Sequence, residues 1–201
     1  MRKTKFKILA VAFNLFLQKS FKEVTMQEIV AKTGLSKGAF YHYFKSKDEL
    51  FSEVVETFYV AAPTTPMKPL NMDSLHGFYH DYIDHVVMVF KALGESMKTS
   101  DSDSNLNYFS MGLEAMRRLP AFREKIRIIN NEVKKIWMGV IKNAREKGEV
   151  TSSMTDEEIA SCFLYLNEGI GMRYALEGRA SESDKELSRL WDSFYGILKT
   201  K

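Results

Sequence analysis

TMQEIVAKTGLSKGAFYHYFKSK, residues 25–47, decides the fold. Thr25-Met26-Gln27-Glu28 has the form of a capping box: the threonine hydroxyl takes a backbone N–H of the first helical turn and Glu28 reaches back. Ile29, Val30 and Ala31 give that helix its apolar side. Gly34 follows, where a left-handed residue ends a helix without a Cβ penalty, and Leu35 fills the corner. Ser36 caps a second short helix, from Lys37 to about Phe44, with Phe40 and Phe44 one turn apart and facing inward. Lys37, Gly38, Ala39, Tyr41, His42 and Tyr43 are left outward or at the edge. Ser46-Lys47-Asp48-Glu49 is a second capping box, opening a helix whose apolar stripe is Leu50, Phe51, Val54, Val55 and Phe58. The stretch is a helix-turn-helix with a basic, aromatic exposed edge.

That edge has the chemistry of a nucleic-acid reader. A helix lying in a DNA major groove reads base edges with a few side chains near its N-terminus, and small residues there let the backbone come close. Lys37 offers a donor to guanine or to a phosphate, Ala39 a methyl for thymine, and Gly38 keeps the approach open. Tyr41 and Tyr43 carry hydroxyls on rigid rings, suited to phosphate oxygens. Thr25 and Lys47 sit at helix starts, where backbone N–H groups favour an anion. Positioning contacts would then flank a short reading surface.

Charge is distributed to match. Of the 201 residues, 29 are Lys/Arg and 26 Asp/Glu, a net charge of only +3. Residues 1–55 nevertheless hold ten basic and five acidic side chains, a net +5, and the remainder carries −2. A basic head on a slightly acidic body suits a head that meets phosphate.

Outward from the head, apolar residues recur at helical spacing throughout. Helix 1 spans about Thr4 to Lys19, with Phe6, Leu9, Phe13, Phe16 and Leu17 on its stripe. Its start, MRKTKFKILAVAFNLFL, imitates a signal peptide, but Asn14 interrupts the apolar run and Gln18-Lys19 follows instead of a small-residue cleavage site. AAPTTPMKPLNM, residues 61–72, holds three of the four prolines and is the natural domain boundary. Helices follow at about Ser74–Lys98, Leu106–Arg118, Ala121–Lys147, Asp156–Gly178 and Ser183–Leu198, with TSDSDSN, residues 99–105, as a loop. No strand-like alternation, repeat or nucleotide-binding glycine loop occurs. The expected class is all-α with about nine helices: an N-terminal helix-turn-helix domain over residues 1–55, including the start of connecting helix 4, and a larger helical domain over 56–201. Cys162 is the lone cysteine, so no intrachain disulfide forms, which fits a reducing cytosol. No apolar run approaches the roughly 20 residues that span a bilayer, so no membrane partner is expected.

Thr25, Ile29-Val30-Ala31 and Gly34 through Leu50 resemble the N-terminal DNA-binding domain of the TetR family of bacterial transcriptional regulators. The likeness covers roughly residues 4–55. It implies a cytoplasmic homodimer that binds a double-stranded palindromic operator, usually as a repressor, and is released by a small molecule in the C-terminal domain. Carried over position by position, Thr25, Tyr41 and Lys47 match phosphate-contacting residues, and Ser36, Lys37, Gly38, Ala39 and Tyr43 match recognition-helix contacts. His42 joins these as a further DNA-binding candidate. Some relatives carry a base-reading polar residue at positions 26 and 27; Met26 bonds bases poorly, which makes Gln27 the candidate there.

The body diverges in such proteins and says less. The run EIASCFLYLNEGIGMRYALEG, residues 158–178, contains Gly169 and Gly171 within a helix, where glycine costs about 1 kcal/mol; close helix approach is the expected reason. With the final helix it would form a four-helix dimer interface. Tyr108, Phe109, Trp137, Phe163 and Asn167 are the candidates for binding an apolar or aromatic effector. No cofactor and no resident metal are expected. One rival reading is a metal-binding helical enzyme using His76, His80 and Asp84, spaced by four on one face. Another is a helical interaction protein with a vestigial DNA head. The chain has no H-E-x-x-H, which counts against catalysis at a metal, and the capped basic helix-turn-helix counts against the second rival.

Overall fold

A computed structural model describes residues 2–61, 69–97 and 104–200. Nine α-helices are described: α1 Arg2–Gln18, α2 Met26–Thr33, α3 Lys37–Tyr43, α4 Lys47–Val54, α5 Leu75–Met97, α6 Ser104–Arg118, α7 Phe122–Glu146, α8 Asp156–Leu176 and α9 Ser183–Leu198. α4 runs on as a π-helix, Val55–Ala61, and a single 3₁₀ turn, Ala180–Glu182, precedes α9. The class is all-α. Pro63 and Pro66, and the loop residues 99–103, lie outside the described residues; the helix after that loop begins at Ser104, two residues sooner than the sequence pattern suggests.

Contacts divide the chain into two compact units, Met1–Thr65 with Val89–Arg123, and Pro66–Met88 with Glu124–Lys201. In the first, α1 is wrapped by α2, α4 and α6. Packing from several directions explains why Ile8, Leu9, Ala12, Phe13, Leu15, Phe16 and Leu17 are all buried, more than one stripe supplies. Phe6, expected on the stripe, is 56% exposed, although its ring still meets Phe58 at 5.7 Å. The head's core is largely phenylalanine: Phe13 stacks on Phe58 at 4.5 Å, and Phe51 meets Phe16 at 5.1 Å and Phe21 at 4.9 Å, both edge-on. Truncating a ring as buried as Phe51 costs about 3–5 kcal/mol. The π-helix carries Tyr59, stacked on Tyr108 at 4.5 Å, and the Tyr59 hydroxyl occupies the space a Cβ on Gly112 would need.

The second unit is built around Trp137, Trp191, Phe163, Phe78 and Tyr79, each no more than 1% exposed. Trp191 Nε1 donates to the Phe163 carbonyl at 3.1 Å, so that ring is fixed as well as buried. α8 starts with a complete capping box: Thr155 Oγ1 accepts from Glu158 N–H and the Glu158 carboxylate accepts from Thr155 N–H. α5 is capped from far away. Glu149 accepts from Leu75 N–H and His76 N–H, both at 3.0 Å, from Ser74 Oγ at 3.2 Å and from Tyr195 Oη at 3.0 Å. Burial tends to raise its pKa, but the N–H groups of His76 and Leu75, with the two hydroxyls, outweigh that and hold it below the ordinary carboxylate value.

Candidate nucleic-acid interface

Three side-chain caps set the helix-turn-helix. Thr25 Oγ1 accepts from Glu28 N–H at 3.1 Å, Ser36 Oγ from Ala39 N–H at 3.3 Å, and Ser46 Oγ from Glu49 N–H at 3.1 Å. Gly34 has φ +70°, and its N–H bonds to Ala31 O, closing α2 as the turn requires. The return arms of the first two expected capping boxes are used elsewhere. Glu28 instead accepts Lys19 Nζ at 2.7 Å, and Glu49 accepts the N–H of Lys45, one residue before the cap, at 2.7 Å.

These caps present α3 with its N-terminal end bare. Ser36, Lys37, Gly38 and Ala39 are all exposed, and a Cβ added to Gly38 would meet nothing within 4 Å. No neighbour in the described chain requires a glycine there. Phe40, fully buried, and Phe44 hold the opposite face in the core. Gln27, Val30, Ala31, Lys37 and Tyr41 line a shallow groove of about 260 Å³ between α2 and α3. Tyr41 is half-buried with its ring edge-on to Phe40 at 5.6 Å; Tyr43 is half-buried beside His42, which is exposed. Thr25 is exposed at its cap.

Lys47 is placed differently from the other candidates. Its ammonium donates to the carbonyls of Phe21 and Val24, both at 2.7 Å, and lies 4.3 Å from the centre of the Phe21 ring. An ammonium has three N–H donors, so two of them tie the α1–α2 turn to the start of α4. Arg118, at the end of α6, stacks on the same ring at 3.7 Å, bonds Glu114 at 2.6 Å and reaches Asp48 at 3.6 Å. Sequence reading missed Phe21 and Arg118 as supports of the head, because they lie 26 and 71 positions from Lys47 and follow no local pattern.

The five effector candidates divide between the units. Tyr108 is buried, its hydroxyl donating to the Phe58 carbonyl at 3.3 Å, and Phe109 is half-buried beside it in sequence; both belong to the first unit. Trp137 and Phe163 are fully buried and stack at 5.0 Å in the core of the second, with Asn167 half-buried on the same helix as Phe163. The indole N–H of Trp137 is buried without a hydrogen-bond partner among the described residues. An open groove of about 570 Å³ in the first unit is lined by Phe16, Phe21, Phe51, Met111, Glu114 and Arg117, among others, and by none of the five candidates. His76, His80 and Asp84 do not converge: eight residues of helix separate the first and last by about 12 Å, and the group that does converge is His76, His80 and Asp192.

The comparisons with known proteins agree with this geometry. Residues 8–54 match the family described as bacterial regulatory proteins, tetR family. The chain is 27% identical over 126 residues to the uncharacterised HTH-type transcriptional regulator YerO of Bacillus subtilis, across 57% of this chain and 43% of that one. It is 22% identical over 175 residues to the HTH-type transcriptional repressor KstR2 of Rhodococcus jostii, across 85% of this chain and 79% of that one. A solved TetR-family regulator from Agrobacterium tumefaciens shares the fold with a TM-score of 0.68, 14% identity and 99% coverage of both chains. With Met26–Tyr43 as its helix-turn-helix, the N-terminal domain of the chain belongs to the TetR family of bacterial transcriptional regulators.

Proposed function

We propose that the chain is a ligand-responsive repressor that binds a palindromic operator as a homodimer and releases it when a small molecule binds the helical body. The bare N-terminal end of α3 carries this reading. Lys37, Gly38 and Ala39 are exposed on a helix that is capped at one end and anchored by Phe40. In this account Lys37 and Gln27 reach bases, Gly38 and Ala39 allow close approach, and Tyr43 with His42 borders the reading face. Thr25, Tyr41 and the start of α4 hold phosphates. At α4 the backbone N–H groups and the third Lys47 donor supply the contact, since the other two donors are engaged. Residues 1–55 read, and 56–201 sense and dimerise, in the cytoplasm.

The dimer reading rests on α8 and α9. Gly169 and Gly171 lie inside α8, yet a Cβ on either would meet nothing within 4 Å in this chain. The helix therefore carries two glycines without a reason inside the described subunit. Tyr165, Met172 and Leu176, in line with Gly169 at spacings of four, three and four, are exposed, as is Ile197 on α9 at 79%. A second copy seated on this face gives the glycines their reason and covers the stripe, with two helices from each subunit. For the effector, the aromatic core of the second unit and the unpartnered Trp137 N–H support an apolar or aromatic ligand bearing one acceptor. Selection of operators from random duplexes with the full chain, followed by screening for molecules that dissociate the complex, tests the proposal. A recovered palindrome and a releasing compound are expected; recovery of no preferred sequence overturns it.

A further inference from the structure

We infer that His76, His80 and Asp192 form a binding site for a divalent transition-metal ion of the zinc class. The inference goes beyond DNA reading and depends on none of the residues assigned to it.

The donors come from two helices. His76 and His80, one turn apart on α5, have rings 4.6 Å apart. Asp192 on α9 brings a carboxylate oxygen to 3.3 Å from His80 Nε2, and one ligand atom from each of the three lies within 4.8 Å of the others. Three ligands at about 2.0–2.2 Å from a tetrahedral zinc stand about 3.3 Å apart, so the His80–Asp192 separation already suits a shared ion and the rest need only small side-chain rotations. Two imidazoles and a carboxylate form a donor set that suits zinc, nickel or copper better than magnesium or calcium.

The surroundings hold these donors in place. Tyr79 Oη donates to Asp192 Oδ1 at 2.7 Å, orienting the carboxylate as an outer partner of a metal ligand does. Glu149 locks the first turn of α5 through the N–H groups of Leu75 and His76. The His76 ring also rests against Tyr195 at 5.2 Å. Three protein ligands leave a fourth position open to water, and an ion there would cross-link α5 to α9 within the second unit.

Zinc alone, titrated into the chelator-stripped full-length chain in competition with a chromophoric chelator, tests this. One ion per chain is expected, with affinity lowered at least about tenfold by His80→Ala and by Asp192→Asn. The asparagine keeps an acceptor for Tyr79, so its fold is protected. The melting temperature of the wild type, and not of Asp192→Asn, should rise with added zinc, and Cys162→Ser should bind as the wild type does. Zinc bound equally well by Asp192→Asn overturns the site, as does loss of binding in Cys162→Ser. Absence of any binding beyond that of the His76→Ala/His80→Ala double variant leaves a plain His80–Asp192 contact, and also overturns it.

Discussion

At the scale of the residue, Gly38 is where the fold and the proposed reading of DNA can be tested apart. Nothing within 4 Å would meet its Cβ, and alanine is the better helix former by up to about 1 kcal/mol. Gly38→Ala should therefore leave the melting temperature unchanged or raise it while weakening operator binding, as thermal melting and a duplex titration on the same preparation will show. Lys37→Ala should cost about 1–3 kcal/mol at the operator and relax the preference at one base pair. Lys47 should do the opposite of Gly38. Its loss leaves the Phe21 and Val24 carbonyls without a charged donor, so Lys47→Ala should destabilise the head by about 1–3 kcal/mol, read as a lower denaturant midpoint, with DNA binding falling both through the looser head and through the lost third donor. The exposed candidates were legible because capping and turn residues act within four positions of one another. The engagement of Lys47 was not, because Phe21 and Val24 reach it only through the tertiary fold. Glu28 shows the same limit: its local pairing with Thr25 is half made, since Lys19 competes for the carboxylate.

At the scale of the element, periodicity located every long helix, and Gly34, with positive φ, ends α2 where it was read; Gly148 and Gly178, also with positive φ, follow the ends of α7 and α8. What periodicity could not supply is how many sides of a helix are covered. α1 reads as amphipathic, yet α2, α4 and α6 all pack on it and bury more than one stripe. Nor could it show that α5 is capped by a residue some 75 positions away. The Glu149 carboxyl is held below the usual carboxylate pKa, so its contribution to stability is full above the unfolded value of about 4.3 and fades as pH falls through the lower folded value. Glu149→Gln should flatten the acid limb of the melting temperature against pH, whereas the wild type loses stability progressively below about pH 4. α8 gives a second test at this scale. Gly169→Ala should raise the dimer dissociation constant measured by analytical ultracentrifugation while the far-ultraviolet spectrum of the subunit is kept. An unchanged constant would leave the glycine without a role at an interface.

At the scale of the whole molecule, charge is split between a basic first 55 residues and a slightly acidic remainder, with reading proposed for the first and sensing for the second. One short recognition helix offers too few base contacts for a tight operator complex, and two related by a dimer axis double them. The family was legible in the head because caps, turn and aromatic anchors agree over more than twenty positions. The effector was not, because Tyr108 and Trp137 are as well explained by core packing as by a ligand. The most direct test is the affinity of the full-length chain for its selected palindromic duplex and for a scrambled duplex, measured across a salt series. Affinity should fall steeply with salt, by a slope of about −0.9 for each neutralised phosphate, and the palindrome should be preferred by about a thousandfold or more. Equal affinity for both duplexes, or a salt slope near zero, would contradict the account.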